Sequence, residues 1–165
     1  MHPRVILSVG NFFFSIFSSL VTIILLPYLS LYMPAAYIGF VIALSAVGAV
    51  ILFPFVPRVV EKYGVQYTAL VLAFIEMIVL FALAAAPGAV ASILLMAVTI
   101  AMQPFFAYEL DLLLEATIAD PGTTGEVRAL FRTAWSIAAL AAPLLLGALL
   151  ANSDSYGRIF IAAAA

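Results

Sequence analysis

Few residues in this chain have side chains suited to enzyme chemistry. The only histidine is His2, beside the N-terminus, and the chain contains no cysteine. Nucleophilic triads need a positioned imidazole, and zinc sites need closely spaced histidine or cysteine ligands. No glycine-rich phosphate loop occurs either. The sequence therefore predicts that the chain is not an enzyme and that it holds no metal and no cofactor.

One carboxyl group lies in the middle of an otherwise uncharged apolar segment. Glu76 is part of the segment 67–86, and Ala69, Ala73 and Leu80 share its helical face. A carboxyl group at membrane depth is costly and by default indicates a functional site. Glu76 could carry a proton, or it could be a protonated glutamate that hydrogen-bonds to a neighbouring helix.

A second group of acids ends the next apolar segment, opposite two arginines. Asp111 and Glu115 are four residues apart, as are Arg128 and Arg132, so each pair shares one helix face. Glu109 lies beside the acids in the sequence. This pattern favours an ion-pair network that joins two helix ends. A gate or a coupling site is the alternative.

Amide and hydroxyl side chains form stripes at helical spacing. Asn11 and Ser15 belong to such a stripe in the first apolar segment, and Gln103 lies in the fourth. A side-chain amide inside a membrane needs a partner, and polar groups can bond between helices there. For Asn11 and Gln103, helix packing and the lining of a water-filled cavity are equally good explanations.

The elements that position these residues must be membrane spans, because the composition suits no other solvent. The chain has 165 residues, of which 67% are hydrophobic and 8% charged, with a mean hydropathy of +1.29. Soluble domains are about 45–50% apolar and about 25% charged, and a small soluble domain could not bury this much apolar surface. The net charge of −2 and the scattered bases exclude nucleic acid as a partner.

A membrane span needs about 20 mostly apolar residues, and five segments reach that length. They are 5–29, 36–56, 67–86, 88–108 and 129–151. Residues 158–165 would give only about 12 Å of helix, so we expect a sixth span that is cut short. The prediction is an all-α polytopic bundle in a lipid bilayer, as the N-terminal fragment of a longer protein.

Basic residues in short loops predict the orientation of the bundle. If the N-terminus is cytoplasmic, a single basic residue, Arg158, lies outside. The five that then lie inside are Arg4, Arg58, Lys62, Arg128 and Arg132. The sequence therefore predicts a multi-pass protein of the cell membrane with a cytoplasmic N-terminus.

The loop between the second and third predicted spans reads PRVVEKYGVQ at 57–66. It resembles the signature of the major facilitator superfamily, G-x-x-x-D-[RK]-x-G-[RK]-[RK], in its proper place. Glu61 stands for the acid, Lys62 for the base and Gly64 for the internal glycine. The leading glycine and the two trailing bases of that signature are absent here.

Two further stretches are similar to the same family. The loop 120–131 resembles its acid-proline…arginine loop before the fifth helix, and Pro143 and Gly147 match its G-P-x-x-G-G stretch in that helix. The arginine that is characteristic of the fourth helix is absent, because 88–108 has no basic residue. This departure puts the family's standard proton coupling in doubt.

The resemblance implies one six-helix half of a secondary transporter, whose partner is the C-terminal half of the same protein. Such transporters move a small solute, in some cases with a proton, by rocking two bundles about a central site. It places Asn11, Ser15 and Gln103 along the substrate path and the 57–66 loop in a cytoplasmic latch. Glu76 is a further candidate for that path, because its carboxyl group lies at membrane depth. The alternatives are a membrane subunit of an ATP-driven permease, a membrane-embedded enzyme and a non-transporting membrane protein.

Overall fold

The computed structural model describes residues 3–85, 88–116, 124–151 and 156–164, and every element in these ranges is a helix. A 3₁₀ turn, Phe53–Phe55, joins the second helix to the third. The helices are α1 (Pro3–Leu29), α2 (Ala35–Leu52), α3 (Val56–Tyr63), α4 (Val65–Ala84), α5 (Ala89–Glu115), α6 (Thr124–Leu150) and α7 (Tyr156–Ala164).

Within the described residues, five helical stretches are long and apolar enough to cross a membrane. They are Ser8–Leu29, Ala35–Tyr63, Val65–Ala84, Ala89–Glu115 and Arg128–Leu150. The prediction of an all-α chain with five long apolar helices is confirmed, which is compatible with a multi-pass membrane protein. The second and fourth stretches run past the predicted segments, to Tyr63 and Glu115.

Prolines and two glycines set the bends between these helices. Pro54 and Pro57 lie in the first turns of the 3₁₀ turn and α3, where a missing N–H costs little. Gly64 and Gly88 have φ angles of +86° and +92°. Glycine adopts such angles without a steric penalty, so the chain can reverse there and start α4 and α5. The 117–123 part of the loop before α6 lies outside the described residues.

The long helices run up and down, so the bundle has two ends. The Gly64 end carries the start of α4, the end of α5 and the start of α6. The Gly88 end carries the end of α4 and the starts of α5 and α7. Helix α1 is central, since it packs against α5, α6 and α7, while α4 packs against α5 and α7, and α2 against α5.

The packing pairs follow a repeat of three spans. The first triplet is α1, α2 with α3, and α4, and the second is α5, α6 and α7. In this repeat α1 corresponds to α5, α2 to α6 and α4 to α7. The α1–α6 pair then corresponds to the α5–α2 pair, and the α4–α5 pair to the α7–α1 pair. The α4–α7 and α1–α5 pairs map onto themselves. Because each triplet has an odd number of spans, the second runs in the opposite direction to the first.

The apolar core fills the half of the bundle nearer to the Gly88 end. Leu20 and Ile24 of α1 are buried there against Leu80 of α4 and Met96 of α5. The Tyr28 ring packs edge-on against Phe160 of α7 at 4.9 Å between centroids, and its hydroxyl donates a 3.0 Å hydrogen bond to Ser92. The half nearer to Gly64 is less filled, and the candidate site lies in that half.

Candidate functional site

A cavity of about 900 Å³ lies between α1, α4, α5 and α7 in the half nearer to the Gly64 end. We call it the carboxyl cavity, because Glu76 and Glu109 are among the residues that line its otherwise mostly apolar wall. Three phenylalanines, Phe14 and Phe17 of α1 and Phe106 of α5, line one side of the cavity, and we call them the phenylalanine wall. The short helix α7 contributes residues 162–164 at the inner end.

Both glutamates are buried, and within the described part of the chain neither carboxyl group is hydrogen-bonded. Glu76 is 3% exposed and Glu109 is 1% exposed. All four carboxyl oxygens are without a hydrogen-bond partner among the described residues. The Thr99 hydroxyl of α5 lies near Glu76, but it too makes no hydrogen bond within those residues. The carboxyl oxygens of these two cavity-lining residues are therefore shielded from solvent, and among the described residues no hydrogen bond compensates for their burial.

The two carboxyl groups lie at different depths along the bundle. Glu76 is eleven residues after Val65, the first residue of α4, and Glu109 is six residues before Glu115, the last of α5. At about 1.5 Å per residue, they lie about 16 Å and about 9 Å from the Gly64 end. One acid is thus near the mouth of the cavity and the other about 7 Å deeper.

Among the residues that the structure describes, the predicted ion-pair network between α5 and α6 is limited to one pair. Arg128 donates to Glu115 at 3.1 Å, and both side chains are 58% exposed. Asp111 and Arg132 are exposed and have no salt bridge among the described residues. Glu109 does not join this network. It lies two residues before Asp111, which is about 200° around a helix of 3.6 residues per turn, so it points inward.

Three of the four substrate-path candidates do not line the carboxyl cavity: Asn11 and Gln103 join α1 to other helices, and Ser15 bonds within α1. Asn11 Nδ2 donates to the Phe131 carbonyl of α6 at 2.8 Å, and the Ser15 hydroxyl donates to the Asn11 carbonyl at 2.6 Å. The Ser18 hydroxyl donates to Gln103 Oε1 of α5 at 2.7 Å. Glu76 is the one candidate that lines the cavity.

The 57–66 loop forms the charged helix α3 and the turn at Gly64. Glu61 and Lys62 are exposed, and they make no salt bridge with described residues. Arg58 lies over the Phe55 ring at 5.7 Å, and Lys62 over the Tyr63 ring at 4.9 Å. The charges of this loop therefore face away from the bundle, where another part of a protein or solvent can meet them.

Pro143 and Gly147 both lie inside α6 on its exposed side. Ala138 and Ala142 occupy the opposite, buried side of the same helix. A Cβ atom built on Gly147 would meet nothing within 4 Å. The exposed side of α6 is thus free to pack against lipid or another helix.

A second cavity, of about 510 Å³, lies between α2 and α5 beside Ala46, Phe53 and Pro104. Its lining is almost entirely apolar. Ligand sites combine apolar walls with a few polar groups that fix orientation. This cavity lacks such groups, so the carboxyl cavity is the stronger candidate.

Sequence reasoning missed two features of the site. The first is Glu109, whose inward direction follows from its position two residues before Asp111. The second is the phenylalanine wall, for which Phe14 and Phe17 at i, i+3 in α1 were the available signal. No group of three or more acids, histidines or cysteines that could hold a metal occurs among the described residues.

Comparison with known proteins gives no further indication of function. No protein-family model matches the chain, and no curated protein and no solved structure is significantly similar to it. A functional argument for this protein therefore depends on the packing of its helices and on the chemistry of the carboxyl cavity.

Proposed function

We propose that the chain forms the N-terminal half of a secondary transporter of the major facilitator type, which moves a small solute by alternating access. Its place would be the cell membrane, with the N-terminus in the cytoplasm. The observation that carries the proposal is the packing of the spans as two triplets of opposite direction. Inverted repeats of three helices within each six-helix half are a feature of this transporter class.

The burial of the individual spans supports a missing partner on one side. The buried share of the most apolar window is 39% in α1, whereas it is 17% in Ala35–Tyr63 and 11% in Arg128–Leu150. These two least buried spans are counterparts in the triplet repeat. Together they would present a face to the second bundle, with Pro143 and Gly147 on it. Small residues on an exposed helix face allow another helix to pack closely against it in a membrane.

The charges of α3 support a role in switching between two states. Glu61 and Lys62 have no ion-pair partner among the described residues, so they are available to a second bundle. A charged loop that binds the other half in one state and releases it in the next is a two-state element. This matches the latch that the resemblance of the 57–66 loop implies.

Uptake by membrane vesicles from cells that overproduce the protein tests the proposal. We expect saturable uptake of a solute that depends on an ion or solute gradient and needs no ATP. Vesicles from cells without the protein are the control. Uptake that requires ATP would assign the chain to an ATP-driven permease, and the absence of saturable uptake over a broad solute panel would refute transport.

A further inference from the structure

We propose that the carboxyl cavity binds a lipophilic organic cation, whose charge is met by Glu76 and Glu109 and whose apolar body packs on the phenylalanine wall. This inference deepens the proposed function, on which it rests, because it names the class of solute. The observations that support it are the two unpartnered acids, the size of the cavity and its aromatic lining.

The charge of the ligand follows from the two acids. Glu76 and Glu109 are 97% and 99% buried, and their four oxygens have no hydrogen-bond partner in the described part of the chain. Among the described residues that line the cavity, none is a lysine, an arginine or a histidine. A buried charge is costly unless it is paired. A bound cation supplies the missing pairing for an ionised carboxyl group, whereas an anion would be repelled by it.

The size of the cavity excludes a bare ion as its natural occupant. A volume of about 900 Å³ falls in the range of about 300–1,000 Å³ that is typical of sites for drug-sized molecules. A metal ion would also need more ligands than two acids at different depths provide. The ligand must therefore carry a bulky apolar body in addition to its charge.

The phenylalanine wall suits both the apolar body and the positive charge of such a molecule. The Phe14 ring lies 5.4 Å from Phe106 and 5.8 Å from Phe17, and Phe17 lies 6.4 Å from Phe106, measured between centroids. These three rings form one continuous apolar surface, and aromatic faces also attract cations. Glu109 follows Phe106 by three residues on α5, so charge and ring lie on one helix face.

The depths of the two acids suggest the order in which they act. Glu109, about 9 Å from the Gly64 end, would meet the cation first, and Glu76, about 7 Å deeper, would hold it near the middle of the bundle. The rival occupant is a further membrane helix that fills the same space beside residues 162–164 of α7. That rival predicts a protein that binds no cation, because the cavity would then be closed.

The direct test is equilibrium binding of tetraphenylphosphonium to the purified, detergent-solubilised protein. We expect saturable binding that weakens at least about tenfold in both Glu76→Gln and Glu109→Gln, because the loss of a buried charge contact exceeds about 1.4 kcal/mol. Asp111→Asn and Glu115→Gln are the matched controls, since these exposed acids lie outside the cavity. They should bind like the wild-type protein, and neutral triphenylphosphine oxide should not compete.

A second measurement avoids the question of whether a variant folds. The chain has no cysteine, so Ala73→Cys provides a single thiol in the cavity wall. Tetraphenylphosphonium should protect this thiol from a maleimide and leave Ser30→Cys, exposed at the other end, unprotected. The absence of binding by the wild-type protein, or binding by both Glu→Gln variants that is as tight as that of the wild type, would overturn the inference.

The outcomes separate this inference from the proposed function. Saturable uptake of another solute by vesicles, without tetraphenylphosphonium binding, would refute the cation site and leave the transporter standing. Binding that depends on Glu76 and Glu109, without uptake of any solute, would support the site and refute transport.

Discussion

Replacing Gly64 by alanine tests the geometry of the turn between α3 and α4. Gly64 has φ +86° and ψ +147°, a region of backbone conformation that is essentially restricted to glycine. The turn is held by hydrogen bonds on both sides. The Gly64 N–H donates to the Val60 carbonyl at 2.8 Å, and the Gly64 carbonyl accepts from the Thr68 hydroxyl at 2.8 Å.

The size of the effect follows from the backbone alone. A Cβ atom on Gly64 would meet nothing within 4 Å, so no steric contact adds to the conformational cost. A residue held in such a region costs about 1–3 kcal/mol. Gly48 is the matched control, because it lies inside α2 with the same open space around its Cβ position. Gly48→Ala should increase stability by about 0.4–1 kcal/mol, since alanine restricts the unfolded chain.

Reversible unfolding in mixed micelles with increasing dodecyl sulfate measures both variants. Gly64→Ala should lower the free energy of unfolding by about 1–3 kcal/mol, and the two variants should therefore differ by about 1.4–4 kcal/mol. Equal stability of Gly64→Ala and wild type would mean that the chain does not adopt a positive φ angle at this turn. A loss of stability in Gly48→Ala as well would indicate a general intolerance of added methyl groups.

Three further substitutions test the site and its supports. Asn11→Ala removes the hydrogen bond to α6 and should cost about 0.6–1.7 kcal/mol in the same unfolding assay, whereas Ser15→Ala, which removes a bond within α1, should cost less. A similar loss in both would argue that the α1–α6 bond contributes nothing. Arg128→Gln should change stability by less than about 1 kcal/mol, because its pair with Glu115 is exposed, and a larger, salt-insensitive loss would contradict this. Glu76→Gln should lower gradient-driven uptake by vesicles at least about tenfold, with Glu115→Gln unchanged, and unaltered uptake and pH dependence would remove Glu76 from the mechanism.

The sequence predicted the helices well because hydropathy is a local property. Each predicted segment needs only its own run of apolar residues to reach span length, and the breaks at Gly64 and Gly88 follow from glycine itself. The burial of Glu76 was also foreseeable, since Ala69 and Ala73 share its helical face. What one helix presents to its surroundings can therefore be derived from spacing along the chain.

The partners across helices could not be derived in this way. Asn11 bonds to the Phe131 carbonyl, and every residue has a carbonyl, so the amide indicates that a partner exists but not which one. Glu109 was assigned to the wrong group because its neighbours in sequence, Asp111 and Glu115, share a face that Glu109 does not. A helical period defines a face, but the fold decides which helix that face meets.

The polar groups inside the bundle divide into two kinds that differ in energetic effect. Asn11, Gln103 and Tyr28 donate or accept hydrogen bonds between helices, and such bonds stabilise a membrane bundle. Glu76 and Glu109 have no such bond among the described residues, so they cost stability and hold no helices together. A structural glutamate would lose stability when changed to glutamine, whereas Glu76→Gln should unfold no more easily than wild type. Stability that is kept while uptake is lost is the expected signature of a residue that serves a ligand.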